Sequence, residues 1–259
     1  MRASVFTGPE NEISKSLHSK EPLAALISQD DRVWSKIVWW VFNELAQAEE
    51  LGIMKATASS MATTDIFGEK FRHMFQNAVG ANGNTGYIYN KTLEDIFPRR
   101  NIMNRINRNS GIVFTIPFGN TQTQVLETSL GGTIEAVYKR GALTCGVTIF
   151  PSFVNVDIEY GTLAGMDVDS CRGVEADIFN GKAEVLFSLL EPHDHFYLLA
   201  AGAIDIVASC VTINLQREIT EATTGRDFNF SSPYFYDAMI FTGIILYGLC
   251  SDEITFDGK

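Results

Sequence analysis

Positive charge is scarce in this chain. Its 259 residues carry 20 Lys and Arg against 31 Asp and Glu, a formal net charge of −11. Nucleic acid is thereby excluded as a partner, because phosphate binding rests on clustered Lys and Arg, and an anionic membrane surface is disfavoured for the same reason. The one locally basic stretch, "LEDIFPRRNIMNRINRNSG" with Arg99, Arg100, Arg105 and Arg108, reads as a solvated helix face within an acidic chain. Long apolar runs are missing too. The opening "MRASVFTGPENEISK" has no apolar core of signal-peptide length, so any export signal is expected to have been removed or never to have existed. Residues 238–249, interrupted by Thr242, Gly243, Tyr247 and Gly248, fall far short of the roughly 20 residues that span a bilayer. They are expected as buried strand, and no membrane span is expected.

Cys145, Cys171, Cys210 and Cys250 show none of the close pairing that zinc sites use. Small buried thiols are the expected state, with a disulfide left open. His193 and His195 lack a third ligand in sequence and read as an exposed helix N-cap rather than a metal site. No Ser–His–Asp or Cys–His arrangement and no glycine-rich phosphate loop is present, so neither an enzyme nor a cofactor is expected.

What is present supports a sizeable core, with 46% hydrophobic and 20% charged residues. "EPLAALIS" reads as a strand. From Asp30 or Asp31, which would cap it, a helix runs to Gly52 with Trp34, Ile37, Val38, Val41 and Leu45 on one face. Its Trp34, Trp39 and Trp40 are expected in the core rather than in an aromatic box. Residues 54–110 read as several short helices, and "NTQTQVLETSLGG" has the composition of a linker. "TIEAVYKRGAL" predicts a helix stopped by Gly141. From Leu143 strands and helices alternate, which predicts a parallel α/β sheet. Val168, Cys171, Val174 and Ile178 share one helix face, with Asp167 and Asp169 as helix-start residues favoured by the dipole. Ligands in such sheets bind beyond the carboxyl ends of the strands, here the loops after Val147 and Ser209.

The pieces "AVYKRGALTCGV", "GMDVDSCRGVEADIF", "AGAIDIVASCVTINLQRE" and "NFSSPYFYD" resemble the first lobe of bacterial extracytoplasmic solute-binding proteins, the polar and general L-amino-acid-binding components of ABC transporters. "SKEPLAALISQDDRVWSKIVWWVFNELAQAEELGI" and "NRNSGIVFTIPFG" are similar to the other end of that family. The resemblance implies an α/β lobe of the type II periplasmic-binding-protein kind, with a central, mostly parallel sheet flanked by helices. It also implies a circularly permuted order without a second lobe: residues 1–119 complete the lobe, 120–132 form a linker, and 133–259 correspond to the family's N-terminal part. Termini that lie close together in space make such a permutation physically reasonable.

For the site, the resemblance implies that Arg217 pairs in bidentate fashion with an amino-acid carboxylate. Thr212 would add its hydroxyl and backbone N–H, Phe153 would cover the ligand, and Cys210 stands where the family often carries a small polar residue or Asn. The family's contact to the α-amino group comes from the other lobe and has no counterpart here. Taken without the motif, Arg217 reads as a surface ion pair with Glu218 or Glu221. Two functions are expected to compete: a non-catalytic domain binding a small amino acid, and a structural or interaction subunit that associates with other proteins through apolar surface. Location outside the cytoplasm follows from the resemblance, and the sequons at Asn90 and Asn229 are compatible with it.

Overall fold

The computed structural model describes residues 11–13, 19–29, 31–97, 102–117, 132–219, 221, 224–238 and 242–244. A three-residue strand, β1 (Asn11–Ile13), comes first. In "EPLAALIS" the residues from Leu23 to Ile27 are all buried, a pattern that belongs to a strand covered on both faces. It forms β2 (Glu21–Ser28). Period-two alternation then sends Leu23, Ala25 and Ile27 into one hydrophobic cluster and Ala24 and Leu26 into another.

Helix α1 (Arg32–Leu51) follows. Its Trp34, Ile37, Val38, Val41 and Leu45 are buried as their spacing predicts, and Gly52 ends it in the left-handed conformation at φ 70°. Asp31 is the cap. One of its carboxylate oxygens accepts from the Trp34 N–H at 2.9 Å and the other from the Ile134 N–H at 3.2 Å, so a single side chain serves two helix starts far apart in sequence. Asp30 lies outside the described residues.

Two short helices come next, α2 (Met74–Asn82) and α3 (Thr85–Thr92). Asn84 caps the second by accepting from the Tyr87 N–H at 2.8 Å. The basic stretch forms 3-10 turns, Asn107–Asn109 among them, instead of the expected helix face. There the Arg108 guanidinium donates to the Glu50 carbonyl at 2.7 Å, while Arg99 and Arg100 are not described. The remaining elements are α4 (Thr133–Arg140), β3 (Ala142–Val147), the hairpin β4 (Asn155–Asp157) and β5 (Thr162–Ala164), α5 (Met166–Phe179), β6 (Glu184–Leu189), α6 (His195–Ala200), β7 (Ile206–Thr212), α7 (Leu215–Ile219), β8 (Phe228–Phe230), β9 (Phe235–Asp237) and β10 (Thr242–Ile244). The last pairs antiparallel with β1. The expected linker, Gly132 apart, lies outside the described residues.

The central sheet has the order β6-β3-β7-β2-β8, with β9 also pairing β2. It is mixed rather than mostly parallel. β3 runs parallel to β6 and β7, whereas β2 is antiparallel to β7, β8 and β9. The alternation rule reads only strands linked through helices, so it sees β3, β6 and β7 and misses the reversal that β2 brings from the other end of the chain. Helices α1 and α5 pack on the first cluster's face of the sheet, and α6 contributes Leu199 to the second. Asn229, on β8, donates its amide to the Ser35 hydroxyl at 3.0 Å, and Asn90 is exposed on α3.

Cys145 and Cys171 form a disulfide between β3 and α5, which replaces the expected pair of buried thiols. Both side chains are fully buried on facing elements, a proximity that spacing along the chain could not reveal. Cys210 is free, and Cys250 lies outside the described residues. With its two ends 26 positions apart in sequence, the crosslink should contribute roughly 3 kcal/mol. Urea unfolding of a Cys145→Ala/Cys171→Ala double variant is expected to show that loss; a change below about 0.5 kcal/mol would contradict it.

Candidate functional site

At the carboxyl ends of β3, β6 and β7 lies a cavity of about 260 Å³ lined by Thr148, Phe150, Asp167, Pro192, His195, Phe196, Ser209, Cys210, Val211, Thr212 and Arg217. Its position is the one expected for a ligand site in an open α/β sheet. The residues reach it by four routes: Thr148 and Phe150 directly after β3, Asp167 in the first turn of α5, Pro192 to Phe196 after β6, and Ser209 to Arg217 on and after β7.

A break in strand register shapes the floor. Ala24 pairs with Val211, but Leu26 pairs with Val207, so β7 spends four positions where β2 spends two. The extra residues form a bulge, a device that re-aims side chains next to functional sites. Within it Cys210 adopts φ 50°, a left-handed conformation costing an ordinary L-residue on the order of 1–2 kcal/mol. Three hydrogen bonds hold it. The Cys210 N–H donates to the Tyr234 hydroxyl at 3.3 Å, its thiol donates to Asp167 Oδ2 at 3.7 Å, and the Tyr234 hydroxyl donates to Asp167 Oδ1 at 2.7 Å. Burial pushes the Cys210 thiol and the Tyr234 hydroxyl up, and the neighbouring Asp167 raises both further.

Asp167 stands in the first turn of α5, as its reading as a helix-start residue expects. Gly165 occupies the N-cap, with φ 140° and no room for a Cβ beside the Phe153 carbonyl. Asp167 itself is fully buried. Burial pushes its carboxyl up to about 7, against the opposing effect of the Tyr234 and Cys210 hydrogen bonds. Asp169, also buried, accepts from Lys91 at 2.9 Å and Arg172 at 3.0 Å.

His195 sits inside α6 and is buried; only His193 is exposed, so the expected exposed N-cap is corrected for His195. The Thr148 hydroxyl donates to the Leu190 carbonyl at 2.9 Å. Its contact with His195 Nε2 at 2.8 Å must then be received, which places the ring proton on Nε2. Burial lowers the His195 pKa to about 4, so the ring is neutral near pH 7. Among the described residues no group of three His, Cys, Asp or Glu could hold a metal ion.

Arg217 lies within α7, and its backbone N–H donates to Asn214 Oδ1, just before the helix, at 3.0 Å. Its Nη1 donates to the Thr212 carbonyl at 2.6 Å, and the guanidinium lies 5.6 Å over the Phe196 ring. Among the described residues it makes no ion pair, with Glu218 and Glu221 included. The structure thus brings Arg217, Thr212 and Cys210 to one cavity. Phe153 is not among its walls: it is fully buried and packs edge-on to Phe235 at 5.1 Å, while Phe150 takes the wall position. Sequence reasoning passed over Asp167, Thr148, Phe150 and His195 as site residues. For Asp167 a signal existed, since it shares the stripe of Cys171, Val174 and Ile178 and was therefore facing inward.

A cavity with a cationic and an acidic group at the carboxyl edge of an α/β sheet is the kind of place where small-molecule sites are found. No protein-family model matches the chain. Among curated proteins, 112 residues are 31% identical to YhdW of Escherichia coli (strain K12), named for an amino-acid ABC transporter-binding role, covering 43% of this chain and 31% of that protein. Over 110 residues it is 30% identical to the general L-amino acid-binding periplasmic protein AapJ of Rhizobium johnstonii, covering 42% of this chain and 30% of that protein. The chain thus spans about a third of the length of the curated relatives it matches. Among solved structures, a glutathione-bound ABC transporter/periplasmic binding protein from Brucella ovis is 28% identical with a TM-score of 0.32, covering 36% of this chain and 28% of that one. Arginine-bound domain 1 of TmArgBP, as a Phe57Trp mutant, is 25% identical with a TM-score of 0.29, covering 37% and 78%. The resemblance to amino-acid-binding components of transporters therefore holds over part of the chain.

Two outcomes check this description of the cavity floor. Cys210→Gly should retain or gain stability, because glycine adopts the left-handed conformation freely. Cys210→Val should be less stable than wild type, because a β-branched side chain at positive φ is a genuine outlier, and urea melts showing the reverse order would refute the strained bulge. The second outcome concerns Asp167. Its raised pKa means the native state keeps a proton that the unfolded chain has lost; the associated stability is complete below about pH 4 and drains away as pH rises through 7. Relative to wild type, Asp167→Asn should therefore gain on the order of 2 kcal/mol between pH 5 and pH 8. A pH-independent difference would show that the carboxyl is not shifted.

Proposed function

We propose that this chain is a non-catalytic solute-binding domain whose cavity takes the carboxylate of a small amino acid on Arg217. One observation carries the reading: a guanidinium lines a cavity at the carboxyl edge of the sheet without an acidic partner among the described residues. Its bond to the Thr212 carbonyl and the Phe196 ring beneath it fix its plane, leaving the other N–H groups to meet a carboxylate as a fork. Phe150, Phe196, Pro192 and Val211 supply apolar walls that strengthen such a pair by lowering the local dielectric. The location proposed is extracytoplasmic, supported by the buried disulfide, which an oxidising compartment maintains. Among the described residues no helix is long and apolar enough to cross a membrane. The permuted order belongs to the same proposal, supported by β2 lying in the sheet between β7 and β8.

A second reading, an interaction subunit that no longer binds ligand, is favoured by exposed apolar residues beside the cavity. Ile149, Leu189, Tyr197 and Leu215 are each more than half exposed, and Ile149 and Tyr197 adjoin lining residues in sequence, as a surface shared with another protein would require.

Isothermal titration calorimetry with the twenty L-amino acids separates the two. Binding to the wild-type chain should weaken roughly 10- to 100-fold in Arg217→Ala, the size of a charge-assisted hydrogen-bond pair, and less in Arg217→Lys, which keeps the charge without the fork. No heat from any amino acid would reject the first reading in favour of the second.

A further inference from the structure

The cavity holds a second ionisable group whose surroundings differ from those of its neighbour. Asp169 and Asp167 lie two residues apart on α5 and both are buried. Asp169 is neutralised by Lys91 and Arg172. Asp167 has no cationic partner among the described residues: Oδ1 accepts from the Tyr234 hydroxyl at 2.7 Å, and Oδ2 receives only the Cys210 thiol at 3.7 Å. A thiol is a weak donor, and one χ1 rotation carries it to another staggered position. Isolated buried carboxylates are costly, whereas a cation placed against this one would offset that cost. Asp167 and Cys210 both line the cavity that Arg217 lines.

Resting on the amino-acid reading of the cavity, we infer that Asp167 receives the ligand's ammonium group, displacing the Cys210 thiol from Oδ2, so that the cavity selects zwitterionic amino acids over carboxylic acids lacking the amine. Both charges of the ligand are then met within this one lobe. Arg217 alone would accept any small carboxylate; Asp167 supplies the discrimination, because without an ammonium it keeps its proton or stays unpaired.

The groups around Asp167 make the consequence testable by pH. His195, across the cavity, titrates at about 4 and stays neutral above it. Tyr234 and Cys210 are pushed up, the Arg217 guanidinium is a permanent charge, and Asp237 acts on the cavity through Cys210. Asp167 is therefore the cavity group that changes charge between pH 5.5 and pH 8. An ammonium ligand arriving below neutrality must expel the carboxyl proton to solvent while keeping its own.

Calorimetry on the full chain at pH 8 tests this with L-alanine, L-serine and L-glutamine against propionate, 3-hydroxypropionate and glutaramate. At least one amino acid should bind tenfold or more tightly than its amine-free counterpart. Asp167→Asn should bring each pair within threefold by weakening only the amino acid. In the wild-type chain the preference should shrink as pH falls to 5.5, an arm that requires no variant and decides the matter should Asp167→Asn fail to fold. Equal affinities within pairs, a preference retained in folded Asp167→Asn, or one constant from pH 5.5 to 8 would each overturn the role of Asp167 while leaving Arg217's intact. Absence of binding in both sets overturns the carboxylate site itself and this inference with it.

Discussion

The antiparallel pairing of β2 with β7 is the constraint on which the rest of the structure depends. It joins residues near the start of the chain to residues past position 200 and fills the middle of the sheet with a strand buried on both faces. A strand so placed has no tolerance for a one-residue slip, since that would exchange the two apolar faces. Yet the pairing is not uniform. Its inner half, Leu26 with Val207, and its outer half, Ala24 with Val211, are both fixed by packing, and the mismatch between them is absorbed at Ala208 to Cys210. The strained backbone at the cavity floor is thus a by-product of satisfying two buried faces at once.

From that bulge the electrostatics follow. Cys210 and Tyr234 together bracket the Asp167 carboxyl, and the end of β7 carries the Thr212 carbonyl that orients Arg217. The acid and the base of the cavity are held by different means: Arg217 by a solvent-edge turn and an aromatic face, Asp167 by a buried helix start that glycine alone permits. Positioning on rigid elements with supporting hydrogen bonds is what a selective site requires. Ligand sites on the carboxyl edge of an α/β sheet are built this way because strand ends, being fixed, aim the loops that follow them.

Much of the fold was legible in the sequence, and the reasons are local. The α1 face, its Asp31 cap and its Gly52 stop follow from helix periodicity and cap chemistry, and "EPLAALIS" announced a strand by composition. The order of β3, α5, β6, α6 and β7 followed from alternating patterns. What stayed hidden was long-range: the reversed direction of β2, the Cys145–Cys171 bond, and the register break at Cys210 all depend on which segments meet. At the candidate site, motif resemblance named Arg217, Thr212 and Cys210, which line the cavity, and Phe153, which lies outside its walls while Phe150 stands in them. Asp167 was read from its position at a helix start, where dipole and cap arguments are strong, although the apolar stripe it shares with Cys171 and Val174 pointed inward.

The most direct test of the central claim is a ¹H–¹⁵N correlation spectrum of the chain titrated with L-serine. Saturable shifts confined to the amides of Thr148, Ser209, Cys210, Val211 and Thr212, and to the Arg217 side-chain Nε–H, are the predicted result. Shifts centred elsewhere on the surface, or an unchanged spectrum through the whole panel of L-amino acids, would contradict the account.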